Sequence, residues 1–110
     1  MGQELGRLLE AAITAPDYKL YALPTTPPKP GMLRVEPGKG SAIELEVWSL
    51  SPDAFGQFVA AIPPPLSIGT IGLGDGRAVK GFLVEAQGVA GARDISSFGG
   101  WRAFMRVAQR

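Results

Sequence analysis

Between residues 42 and 66 the chain changes its hydrophobic period in mid-course. Ile43, Leu45 and Val47 alternate with Glu44, Glu46 and Trp48, a period of two that predicts a half-buried strand over 42–50. Beyond Ser51 the period lengthens. Phe55, Phe58, Val59 and Ile62 recur at helical spacing, with Ser51 or Asp53 placed to cap and Pro52 in the first turn. Pro63, Pro64 and Pro65 then remove three backbone donors and force an extended path, so the helix stops near Ile62.

The same reading covers the rest of the chain. Residues 3–14 carry Leu5, Leu8, Leu9, Ala12 and Ile13 as one helical stripe, with Glu4, Arg7 and Glu10 elsewhere, and predict an amphipathic helix. Residues 18–23 alternate as a strand rich in aromatic and aliphatic side chains, and the proline-rich stretch 24–31 is a semi-rigid loop. A short strand at 32–35 is expected to turn through 36–40 and pair with 42–50 as a hairpin. The turn Gly74-Asp75-Gly76 joins strands 67–73 and 77–85 in the clearest hairpin of the sequence. Residues 88–93 read as loop. A final short helix begins at Asp94 or Ser96 and is interrupted by Gly99-Gly100 before Trp101, Phe104, Met105 and Val107. The expected class is α+β: one domain over 1–110, with about five mostly antiparallel strands and three short helices. So many glycine and proline corners favour closure into a small or partial barrel.

Composition narrows the chemistry. Eleven basic and ten acidic residues give a formal charge of +1 without long runs, which is not the footprint of a nucleic-acid binder. The tail Arg102, Arg106, Arg110 is the one local excess and complements a helix C-terminus. There is no cysteine, so disulfides, thiolate metal sites and cysteine nucleophiles are excluded. There is no histidine either, which removes the commonest general base and transition-metal ligand. No apolar run approaches a membrane span and no secretory pattern opens the sequence; a cytoplasmic protein without metal or other cofactor is expected.

Few residues remain to carry a reaction. Glu44 and Glu46 lie two apart on one strand and share a face with Trp48; either they raise one another's pKa as an acid and base pair, or they form a solvated edge. Tyr18 and Tyr21 either orient a substrate oxygen or pack in the core and rim. Lys29, held among prolines, and Arg77 and Lys80, on the second hairpin, are candidate anion ligands or ordinary surface charges. Gly72, Gly74 and Gly76 join two strands with no helix following, so they do not make a phosphate loop. The two glycines before Trp101 indicate close backbone packing.

Six segments, TAPDYKLYALP (14–24), PPKPGMLRV (27–35), AIELEVWSL (42–50), FVAAIPPPLSIGT (58–70), VKGFLVE (79–85) and ARDISSFGGWRAF (92–104), resemble jointly and in order the C-terminal domain of allophanate hydrolase. The resemblance implies a fold similar to the gamma-glutamyl cyclotransferase-like family, a small mixed barrel with helices outside. It also implies a chemistry: in that enzyme an amidase domain removes ammonia from allophanate, and the C-terminal domain is associated with decarboxylating the resulting N-carboxycarbamate. On that footing Glu46, with Glu44, would exchange a proton with the carbamate nitrogen, while Tyr21, Lys29 or Lys80 holds the oxygens of a small urea-derived carboxylate. The family segment of the type Gly-Ala-His-Leu-Ser-Gly, expected before residues 3–14, is absent from this sequence together with its histidine. The helix after the central strand also lacks the glutamate of cyclotransferases. The alternative expectation is therefore an inactive assembly module of the same fold. A bare edge along residues 18–23 would drive association, as a homodimer or with an amidase domain.

Overall fold

The computed structural model describes residues 6–108. In order, the chain forms β1 (Arg7–Ile13), β2 (Tyr18–Leu23), β3 (Lys29–Arg34), β4 (Glu44–Ser49), α1 (Pro52–Ala60), β5 (Leu66–Gly72), β6 (Ala78–Val84), β7 (Arg93–Asp94) and α2 (Trp101–Ala108), with 3-10 turns at Ala86–Val89 and Ser96–Phe98. The strands make three small sheets: an antiparallel ribbon β1–β4, a three-stranded sheet in the order β3–β2–β7, and the hairpin β5–β6. Ser51 caps α1 through its side chain, which accepts from the Ala54 N–H at 3.1 Å, and Pro52 stands at the first helical position.

β2 is the hub. Tyr18 and Ile95 are fully buried and Leu20, Met32, Ile43, Ile71 and Phe104 nearly so, forming one core against which the partly buried Leu45 of β4 packs. Polar bonds tie the sheets where side-chain packing alone would leave backbone groups unpaired. Thr14, 1% exposed, accepts the Ile43 N–H at 2.9 Å and donates to the Ala15 carbonyl at 2.7 Å. The Tyr18 hydroxyl accepts from the Gly72 N–H at 2.8 Å and from Arg34 at 3.1 Å, so β5 hangs on β2 through a side chain.

Four expectations are corrected. Residues 7–13 are a strand, not part of a helix; Gln3, Glu4 and Leu5 lie outside the described residues. The helical stripe is overridden by pairing along β4, with a bulge between Leu8 and Glu10 that absorbs the adjacent Leu9. The expected hairpin of 32–35 with 42–50 does not form, because β3 pairs with β2 over its whole length. The intervening loop instead folds back on β2: Gly38 N–H donates to the Asp17 carboxylate, Gly40 N–H to the Pro16 carbonyl and Ser41 N–H to the Tyr18 carbonyl. No closed barrel forms among the described residues, since each sheet ends after two or three strands. Finally, β2 has no bare edge. β3 covers one side; on the other, β7 pairs with Tyr21 and Ala22, Ile95 N–H donates to the Leu20 carbonyl and Ser96 Oγ accepts the Leu20 N–H.

Candidate functional site

On the outer face of the β1–β4 ribbon, Leu8 stands opposite Trp48, Ala11 opposite Glu46 and Ile13 opposite Glu44. Leu8, Trp48 and Ile13 are each about half exposed, at 48%, 51% and 54%. Glu46 is not free: Arg102 of α2 forms an ion pair with its carboxylate and the Trp48 indole N–H donates to it at 3.2 Å. Glu44 borders a shallow cleft of about 280 Å³ lined by Ile13, Ala42, Phe98 and Gly99. Its backbone N–H donates to the Gly99 carbonyl at 2.7 Å, across a turn in which Gly99 adopts φ of 84°, the left-handed region that favours glycine. The second cleft, about 360 Å³, runs between Glu10–Ile13 and Leu73–Arg77. There Arg77 is saturated by two carboxylates, Glu10 and Asp75, each at 2.8 Å.

The five residues to which the resemblance assigns roles fall on three different sheets. Glu44 and Glu46 are on β4; Tyr21, opposite Gly31 and Asp94, and Lys29, opposite Leu23, are on β2 and β3; Lys80 is on β6. Of the five, Glu44 alone lines either cleft. Lys80 donates to Thr70 Oγ1 at 2.6 Å. Among the described residues no three histidine, cysteine or acidic side chains gather as metal ligands, and no helix is long and apolar enough to cross a membrane. Sequence reasoning missed Thr14 and Arg34, whose partners lie 29 and 36 residues away. It also missed Arg102 as the partner of Glu46, although opposite charges on a strand face and a nearby helix are a readable signal.

The Arg77 cluster sets a pH dependence. The side-chain bond from Arg77 holds the Glu10 carboxyl below its ordinary 4.5, and the Arg77 backbone N–H holds Asp75 below its ordinary 3.8. The unfolded chain therefore takes up protons first as the pH falls, so the stabilisation is full above those ordinary values and is lost as the pH drops through the depressed ones. Melting temperature followed from about pH 7 down to about pH 2 should show a shallower acid decline in Arg77→Gln than in the parent; parallel curves would contradict this.

A family model described as the allophanate hydrolase C-terminal domain matches residues 1–106. Urea amidolyase of Saccharomyces cerevisiae is 41% identical over 101 residues, covering 88% of this chain and 6% of that protein. Urea amidolyase of Lachancea kluyveri is 44% identical over 96 residues, covering 84% of this chain and 5% of that protein. The chain thus spans about a twentieth of the curated relatives it matches. Among solved structures, Kluyveromyces lactis allophanate hydrolase superposes with a TM-score of 0.88 at 43% identity, over 94% of this chain and 18% of that one. A uropathogenic E. coli-specific protein superposes with a TM-score of 0.82 at 32% identity, over 91% of this chain and 76% of that one.

Proposed function

This chain belongs to the allophanate hydrolase C-terminal domain family, and from that premise we propose that it is an accessory domain of urea-derived allophanate breakdown, docked against an amidase domain. The observation that carries this reading is the β1–β4 ribbon. A two-stranded ribbon is marginal alone in water. This one leaves Leu8, Trp48 and Ile13 half exposed on one face, with the Glu46–Arg102 pair beside them to fix the register of a partner. The K. lactis allophanate hydrolase that it resembles carries the matching domain within a much longer chain. An amidase domain of the allophanate hydrolase type, mixed with this chain, should co-elute and give the mass of a one-to-one complex. The double variant Leu8→Lys with Trp48→Glu should abolish co-elution without lowering the melting temperature by more than a few degrees, since both sites are exposed and the opposed charges attract across the ribbon. A chain that stays monomeric beside the amidase, or that pairs only with itself, defeats the reading.

A second reading, decarboxylation of an N-carboxycarbamate, is favoured by Glu44 at its cleft. There the Glu44 carboxylate would relay a proton from water to the carbamate nitrogen; the C–N bond then breaks with its electron pair remaining on nitrogen, and CO2 leaves. Glu46, Tyr21 and Lys29 are absent from that cleft, so the reading rests on Glu44. It requires a small dicarboxylate such as malonate to perturb the backbone amides of Glu44 and Gly99.

A further inference from the structure

We propose that the cleft beside Glu44 receives an arginine side chain of the domain that docks on the β1–β4 ribbon. This rests on the docking reading and deepens it by naming what the partner brings. Glu44 stands directly opposite the half-exposed Ile13, on the face that also carries Leu8 and Trp48. A partner that covers Ile13 therefore takes water from Glu44 as well. The other two carboxylates of the ribbon already have their cations, Glu46 in Arg102 and Glu10 in Arg77, whereas among the described residues no cation stands within ion-pair distance of Glu44. A carboxylate dried without a counter-charge is strongly unfavourable. Docking on this face thus calls for a cation from the partner.

The cleft suits one long side chain. Its volume of about 280 Å³ lies below the range of pockets for drug-sized ligands, and Ile13, Ala42 and Phe98 give it apolar walls. Such walls take the methylene stem of an arginine, whose planar fork then meets the carboxylate at the rim. Glu44 is confined from behind. Its backbone N–H is bonded to the Gly99 carbonyl, and the bare backbone of Gly100 lets its side chain lie close: a β-carbon there would stand 3.1 Å from Glu44 Cβ and 3.7 Å from Oε1. A side chain already confined loses little freedom on binding. Neither neighbouring arginine of this chain fills the place, since Arg102 is bonded to Glu46 and Arg93 lies over Phe98 and Phe104, 5.7 and 5.5 Å from their ring centroids. The Phe98 ring thus has its cation already, and the charge preference of the cleft rests on Glu44. Arginine is favoured over lysine because interfaces are enriched in the first and depleted in the second.

The chain alone and its mixture with an amidase domain of the allophanate hydrolase type test this separately. n-Propylguanidinium, which is the arginine side chain without its backbone, is titrated into the full chain at constant ionic strength and followed by two-dimensional amide NMR, with 1-propanol and malonate run in parallel. Saturable shifts at Ala42, Glu44 and Gly99 are expected with a Kd on the order of ten millimolar, the weakness of a single detached side chain. Glu44→Gln should remove them while melting within a few degrees of the parent, because Glu44 is exposed. In the mixture, Glu44→Gln should weaken association at least about tenfold and Glu44→Lys further still. Absence of a saturable shift, an equal response to 1-propanol, or unchanged shifts in Glu44→Gln would overturn the proposal. Shifts at Glu44 and Gly99 with malonate alone would overturn it in favour of the decarboxylation reading. A complex formed as tightly by Glu44→Gln as by the parent removes the arginine and leaves docking standing, whereas a parent chain that forms no complex removes the docking reading and the arginine with it.

Discussion

Thr14→Val is expected to destabilise the fold by about 1–3 kcal/mol, although valine has nearly the same shape as threonine. The Thr14 hydroxyl sits where the end of β1, the entry to β4 and the loop leading to β2 converge. It accepts the Ile43 N–H and donates to the Ala15 carbonyl, and both Thr14 and Ile43 are almost wholly buried. Valine leaves the Ile43 N–H without a partner in a region water does not reach, and an unpaired buried donor costs far more than the net gain of an average hydrogen bond. Thr14→Ser keeps the hydroxyl and loses one methyl group, so it should cost only about 1 kcal/mol. Chemical denaturation of the two variants decides the matter, with amide exchange at Ile43 as a local readout. Equal midpoints for valine and serine would show that packing and not the hydrogen bond matters there.

Gly40→Ala should be at least as damaging, by about 1–3 kcal/mol or more. A β-carbon on Gly40 would lie 2.5 Å from the backbone nitrogen of Tyr18 and 2.5 Å from its oxygen. These are backbone atoms of the central strand, so they cannot turn aside as a side chain would. The Gly40 N–H also donates to the Pro16 carbonyl and the adjacent Ser41 N–H to the Tyr18 carbonyl, so relief by moving the loop breaks two bonds. Gly38→Ala is the informative comparison: nothing stands within 4 Å of its β-carbon position, and its strain is only that of φ 79°. A fall of roughly 4–8 °C in melting temperature per kcal/mol is the scale for a domain of this size. A Gly40→Ala protein that melts with the parent would mean that the loop does not lie on β2 in solution.

Local signals in the chain are readable where a single residue type decides the backbone. Ser51 and Pro52 start α1 and Pro63 follows its end, while Gly74 to Gly76 turn β5 into β6 at the expected place. What the pattern does not carry is which strand meets which. The leucines of 3–14 suit a helix as well as a strand, and only pairing with β4 decides between them. Likewise residues 32–35 satisfy the rules for a hairpin with 42–50, yet β2 offers a longer partner with a complete register from Tyr18–Arg34 to Leu23–Lys29. The site was legible to the same extent. Glu44 was readable as a polar residue on a strand, but its place at the rim of a cleft depends on Phe98 and Gly99, which tertiary folding brings to it.

The way β2 completes its pairing has a consequence for how the chain is made. Its second edge is closed by Arg93, Asp94, Ile95 and Ser96, and the bond between Leu20 and Ser96 spans 76 positions. Contacts so distant form late, because the entropy of closing a long loop must be met before they contribute. While a ribosome is extending the chain through β5 and β6, the central strand therefore waits with the Leu20 to Ala22 part of that edge open, only Tyr18 being met there by Ser41. Each nascent chain offers its neighbours an aggregation-prone edge until the last fifth of the sequence has emerged.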